Sequence, residues 1–181
     1  MDSTQIDLLE SILVKTRTII AGVRLGQLQL PTPCPQYTVE ALVSHTLSWL
    51  NKFAVEAADP GAEIDPAHYV LPTNAASDFH LHADQLVTAL RQRPNHSPAG
   101  SMLLIEYIVH GWDIAVATAQ PVTYSDSEAG AALTVAHAIM RPEYRGPNSV
   151  FGYKVTPPPH AGITEQLVAF MGRSPRWTPK T

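Results

Sequence analysis

The stretch LLIEYIVHGWDIAV, residues 103–116, constrains this chain more than any other. Nine of its residues are apolar, yet Glu106, His110 and Asp113 sit among them. Read as a helix, each residue advances about 100° around the axis. His110 then lies about 40° from Glu106 and Asp113 about 20° on the other side, so all three side chains share a face. The remaining surface is apolar nearly all round, which predicts a helix buried in a bundle rather than lying on one. A buried carboxylate costs several kcal/mol (an order of magnitude only) unless something pairs with it. A metal ion satisfies a carboxylate and a histidine together.

The chain has 181 residues, 45% of them apolar and 15% charged, which describes one globular domain over 1–181. The net charge of −4 and pI near 6.0, with no basic cluster, argue against nucleic acid as a partner. A single cysteine, Cys34, excludes an internal disulfide and fits a reducing cytoplasm. The opening MDSTQIDLLE lacks the basic start of a signal peptide, and no apolar run is long enough for a membrane span.

Periodicity predicts helices over 3–28, capped by Ser3 or Thr4, over 39–58 after Thr38, and over 74–92. Further helices are expected over about 100–119 and 127–140, with a short last one over 163–173. The proline-rich 30–37 and the stretch 59–73 read as connections, and 59–73 is long enough for a crossover. Residues 141–162 read as irregular, with a short extended piece at VFGYKV. Long helices and few strand signals predict an all-α bundle.

Two candidate ligands from one helix need a third from elsewhere. His45, in VSHTLSW, lies at the edge of its helix's apolar stripe, in a row with Leu42 and Trp49. His45, Glu106 and His110 form a two-histidine, one-carboxylate set, which leaves coordination positions open for substrate. A bare Glu-x-x-x-His pair can equally be a surface hydrogen bond. Asp78 and His82 share that spacing but have polar neighbours, so a solvated face is expected there. His68, His96 and His160 fall in loops and are expected to be exposed, and His137 to be packed or half-exposed. Asp113 is expected behind the ligands, accepting a hydrogen bond from a ligand histidine or from the loop near Tyr37. Tyr37, Trp49, Phe151 and Tyr153 are expected to wall an apolar pocket over the metal. Cys34 reads as a small loop residue packing inward.

Four blocks of the sequence carry a resemblance. PTPCPQYTVEALVSHTLSWLN resembles a T-P-C-P-G-W-T-V segment followed by a helix with one histidine; EYIVHGWDIAVATAQP, VFGYKVTPPPHAGITEQLVAF and MGRSPRW complete the match. They are those of the actinobacterial DinB-like metal-binding proteins, whose bundle is the maleylpyruvate isomerase N-terminal domain. The family's ligands fall on His45, Glu106 and His110. The resemblance implies a DinB-type four-helix bundle, here with an extra helix and the irregular C-terminal segment. It also implies a divalent metal, usually zinc with nickel or iron as alternatives, and a low-molecular-weight thiol, mycothiol. Gln36-Tyr37 replaces the usual Gly-Trp, and Ala119 stands where glycine is usual. The chain stops after the bundle, whereas maleylpyruvate isomerase carries a further domain, so its particular reaction is not expected here.

Three function classes follow. The first is a thiol-dependent S-transferase or isomerase acting on a small electrophilic metabolite. The second is a metal enzyme without thiol, through Lewis-acid hydrolysis, cyclisation or Fe(II) chemistry. The third is a non-catalytic metal-binding module. Lys52, Arg141, Arg145 and Lys154 are the nearest basic candidates for holding a thiol cofactor. A small-molecule substrate is the expected partner, and a homodimer is compatible with the sequence.

Overall fold

Among the described residues, four of the six helices begin where a side chain takes up free backbone N–H groups. Asp2 accepts from Gln5 N at 2.8 Å, while the Gln5 side chain accepts from Asp2 N, opening α1, Ser3–Ala21. Thr38 opens α2, Val39–Ala58, and Asn74 opens α3, Ala75–Gln92. Met102–Ala117 is α4, Asp126–Ile139 is α5 and Ile163–Phe170 is α6. These come from a computed structural model, which describes residues 1–146 and 151–179; among them there is no strand, only isolated bridges between Pro31 and Thr38 and between Arg145 and Phe151. Val150, the first residue of the expected extended piece, lies outside the described residues.

Two boundaries of the first helix differ from expectation. The cap is Asp2 rather than Ser3 or Thr4, because Asp2 keeps an extended backbone while its side chain reaches back to N3. The helix ends at Ala21, not 28. There Gln120 Nε2 donates to Ile19 O at 2.9 Å, satisfying a terminal carbonyl, and its side chain fills the space a Cβ at Gly22 would need. The last helix also stops early, at Phe170, ahead of Gly172 with φ +88°.

Helix α1 packs on α3 and α4, and so does α2, so α1 sits diagonally from α2 and α3 from α4. The crossings of the bundle therefore fall in 22–38 and 93–101, while the connection 59–74, though long enough for one, joins two neighbours. His96 Nε2 donates to Glu56 O at 3.1 Å, which sets the end of α2 beside the segment entering α4 and makes these two helices antiparallel. His96 is thus half-buried rather than exposed. Leu9, Ile12, Leu47, Leu50, Phe79, Leu86, Leu103, Leu104 and Ile108 have no exposure and form the shared core. Each such side chain contributes about 1.5–3 kcal/mol by leaving water.

Helix α5 covers the outside of α4 and carries α6. Its start is fastened to α1 through Glu128, whose side chain is 2% exposed. Glu128 accepts from Ser11 Oγ at 2.6 Å, from Lys15 Nζ at 2.6 and 2.8 Å, and from Ser125 N at 2.7 Å. Just before it, the Tyr124 hydroxyl donates to Tyr107 O at 3.1 Å and meets Thr16 Oγ1 at 2.8 Å. A Cβ at Gly111 would lie 1.9 Å from that hydroxyl, so the glycine of HGWD lets Tyr124 reach the backbone of α4.

Burial alone would raise the Glu128 carboxyl, but the bonds from Lys15, Ser11 and Ser125 outweigh it and hold it below the ordinary carboxylate range. The group therefore stabilises the fold above its unfolded pKa, and that stability is lost as pH falls through the lowered folded value. Glu128→Gln should lower stability by about 1–3 kcal/mol at neutral pH. In melting curves taken down through the acid range, the gap between the two proteins should close.

Helix α4 ends in a left-handed cap: Gln120 N donates to Ala115 O at 2.8 Å and Ala119 N to Val116 O at 3.4 Å, with Ala119 at φ 55°. A Cβ there costs about 1–2 kcal/mol, partly offset by the entropy a glycine loses on folding. Ala119→Gly should stabilise the protein by about 0.5–1 kcal/mol, read as a melting point higher by about 1–4 °C.

Candidate metal centre

His45 and Glu106 face one another across the α2–α4 seam, with His110 one turn beyond Glu106. His45 Nε2 lies 3.3 Å from Glu106 Oε1, and His110 Nε2 lies 3.6 Å from the same oxygen. The two imidazoles meet edge to face with centroids 5.2 Å apart. One ligand atom from each of the three residues falls within 4.8 Å of the others. His110 is 12% exposed, while His45 and Glu106 keep about twice that, so the trio lies at the bundle surface with one side open. Glu106 Oε1 is itself buried and accepts no well-formed hydrogen bond. Burial would raise the Glu106 carboxyl, but His110, His45 and Arg173 outweigh it and keep it below the ordinary range. Burial would likewise lower His110, yet Glu106 and Asp113 hold it above the usual imidazole value.

Asp113 sits behind His110. It has no exposure, and its Oδ2 lies 3.2 Å from His110 Nδ1. Arg173, from the turn after α6, donates to it through Nε at 3.3 and 3.4 Å and through Nη2 at 3.0 Å. The third arm, Nη1, donates to Met171 O at 2.9 Å. At Gly172 the chain runs so close to Gly152 that a Cβ would meet its carbonyl at 3.1 Å, which brings Arg173 in tight under α4. Arg173 is the site residue that sequence reasoning missed. Its only signal was its place in the MGRSPRW block.

On the α2 side, the Tyr37 hydroxyl lies 3.3 Å from His45 Nδ1. Trp49 follows one turn along, 6.2 Å from the His45 ring, and Phe53 one turn further, 5.4 Å from Trp49. Tyr37 and Trp49 therefore flank the trio. Phe151 and Tyr153 belong to the segment held on α6 through Val155 N to Ala169 O at 2.9 Å. Phe151 is half-buried against the core, and Tyr153 is 68% exposed. Cys34 is half-buried, and its sulfur falls within 4.8 Å of His110 and Asp113 ligand atoms, a second group that could hold an ion. Arg173 already occupies Asp113 in that group, and its positive charge opposes a cation there. Burial pushes the Cys34 thiol up.

The rival pair has a different use. Asp78 accepts from the Tyr69 hydroxyl and lies 3.3 Å from His82 Nε2, with His82 14% exposed. The pair is half-buried rather than a solvated face, because Tyr69 comes down from the 59–74 connection and ties it to α3. His68 is exposed as expected, and so is His160. Lys52 is committed to Glu56 and to Ile64 O.

Residues 9–115 match the family model described as the mycothiol maleylpyruvate isomerase N-terminal domain. The chain is also 29% identical over 167 residues to uncharacterised proteins from two strains of Mycobacterium tuberculosis, covering 87% of this chain and 91% of each relative. No solved structure matches. Among the described residues, no helix is long and apolar enough to cross a membrane. The family model spans more than half of the chain and takes in α2, α3 and nearly all of α4, and the protein belongs to the mycothiol maleylpyruvate isomerase N-terminal domain family, a DinB-like helical fold.

Proposed function

We propose that the chain is a divalent-metal-dependent enzyme, holding its ion through His45 Nε2, Glu106 Oε1 and His110 Nε2. Its reaction is the addition of a thiol, mycothiol, to a small electrophilic metabolite. The observation that carries this reading is Glu106 Oε1: a buried oxygen with no hydrogen bond, facing two imidazole nitrogens. Buried polar atoms without partners are rare, and one cation would satisfy all three groups at once. Two nitrogens and one oxygen suit zinc, with nickel or iron also acceptable to the set.

A divalent ion there supplies a lowered pKa for a coordinated thiol and polarisation for a carbonyl. The residues of the chain do the rest. Asp113 accepts the Nδ1 proton of His110 and so leaves its Nε2 lone pair pointing at Glu106; Arg173 donates to Asp113 and holds it in place. Tyr37 can accept the Nδ1 proton of His45 in the same way. Trp49, Phe53 and Tyr37 present apolar rings beside the open face, which favours a substrate with an apolar body. For an activated alkene, the thiol sulfur bonds to one alkene carbon and a proton ends on the other. Loss of that proton with release of the same sulfur as thiol, after rotation about the carbon–carbon bond, gives isomerisation, and retention of the adduct gives S-transfer.

Two measurements test this. His45→Ala, Glu106→Ala and His110→Ala should each strip the metal found by mass spectrometry on protein purified without added metal. Asp113→Asn should retain metal with affinity lower by about 10–100-fold. Full metal content in any two of the three alanine variants would refute the ligand set. Turnover of a panel of electrophilic alkenes by metal-loaded protein should require mycothiol and be abolished in Glu106→Ala. Turnover that proceeds equally without thiol would move the protein to the second class, a metal enzyme acting on its substrate directly.

A further inference from the structure

A second guanidinium lies on the far side of the turn that carries Arg173. Arg145 follows the short 3-10 turn Pro142–Tyr144, and the backbone around it is fixed by Gly146 N to Phe151 O at 2.9 Å and Phe151 N to Tyr144 O at 3.3 Å. Its side chain is folded inward, 9% exposed. Nη1 donates to Phe170 O at 2.8 Å and Gly152 O at 3.3 Å. Nε and Nη2 are buried and have no acceptor among the described residues.

The two unsatisfied nitrogens form one edge of the guanidinium, the edge that pairs side-on with two oxygens of a carboxylate or phosphate. The same protein shows that pairing in use. Arg173 sends Nε and Nη2 to Asp113 and its Nη1 to the carbonyl of Met171, just as Arg145 sends Nη1 to the carbonyl of Phe170. The two arginines are held alike, but among the described residues only Arg173 has a carboxylate on its fork.

The surroundings of Arg145 are those of an anion site rather than of an ion pair. Its guanidinium carbon is 4.7 Å from the centre of the Phe170 ring, and Lys154 Nζ is 4.3 Å from the same centre. His137, in the last turn of α5, places its ring 4.2 Å from that of Phe170. Three basic side chains from three segments thus meet at one aromatic ring. Neither Arg145 nor Lys154 forms an ion pair among the described residues. A ring face compensates charge. It offers nothing to N–H groups lying in the plane of the guanidinium, which remain to be satisfied.

We propose that the Nε/Nη2 edge of Arg145, with Lys154 and His137 beside it, is a binding site for a small oxyanion, a carboxylate or a phosphate group. Lys154 and His137 are exposed and meet the same Phe170 ring, and Arg145 is the buried fork that would grip the ligand. The site is separate from the candidate metal ligands and does not rest on the metal reading. It is joined to them through the short turn from Phe170 to Arg173.

The test is thermal melting of the full chain at fixed ionic strength, with chloride replaced stepwise by inorganic phosphate in one series and by acetate or succinate in another. Calorimetric titration of the same anions accompanies it. The melting point should rise saturably with one of the two series, which identifies the group recognised. Arg145→Lys keeps the charge but not the fork, and should weaken binding by at least tenfold. Lys154→Ala should weaken it several-fold while folding normally. Arg145→Met should abolish the response and, without oxyanion, melt no lower than the unsubstituted protein. A flat response to both series overturns the proposal, as does a rise of equal size in Arg145→Lys. Should Arg145→Met not fold, the Lys154→Ala titration decides, and unchanged affinity there counts against the site.

Discussion

Asp113 carries a carboxylate to a position with no exposure at all, and much of the architecture around α4 follows from keeping it there. An unpaired charge at that depth would cost several kcal/mol (order of magnitude). The fork of Arg173 offsets that cost, and to deliver it the chain turns sharply after α6 and presses Gly172 against Gly152. The remaining lone pair of Asp113 then holds His110 Nδ1, which fixes the ring on whose other nitrogen the candidate metal centre depends. One buried ion pair thus links the C-terminal turn, the interior of α4 and the face shared with α2.

The candidate centre was legible in the sequence because its anomaly is local. Glu106, His110 and Asp113 interrupt an apolar helix at spacings that place them on one face, and helical geometry alone brings them together. His45 was legible more weakly, from its row on α2. Arg173 was not legible, since it lies 60 residues from its partner and nothing in MGRSPRW says what the arginine touches. The same limit applies to Asp78 and His82. Their polar neighbours suggested a solvated face, and only the descent of Tyr69 from a distant connection buries them. Apolar stripes told which face of each helix turns inward, but not which helix it meets. The diagonal placement of α1 and α2 is therefore a result of the structure, as is the end of α1 at Ala21, where a glutamine from beyond α4 takes the terminal carbonyl.

The two sides of α4 are built from opposite materials. Toward α2 it presents ionisable groups at the surface of the seam. Toward α1 and α5 it presents Gly111 and the carbonyl of Tyr107, on which the Tyr124 hydroxyl rests with Thr16. The absent side chain of Gly111 brings Tyr124 into contact with helix backbone, so α5 grips α4 through main-chain groups.

The segment that spans the bundle from α1 to α2 bears on how such a protein can change. It delivers Tyr37 to His45 and Cys34 to the neighbourhood of His110, while the candidate ligands themselves stand on helices whose packing is fixed by the core. Surface connections accept substitution and changes of length far more readily than packed helices do. The rim and the candidate ligands thus stand on parts of the chain with different tolerance to change. A rim carried on a connection, where Gln36-Tyr37 stands, can be exchanged without refolding the bundle.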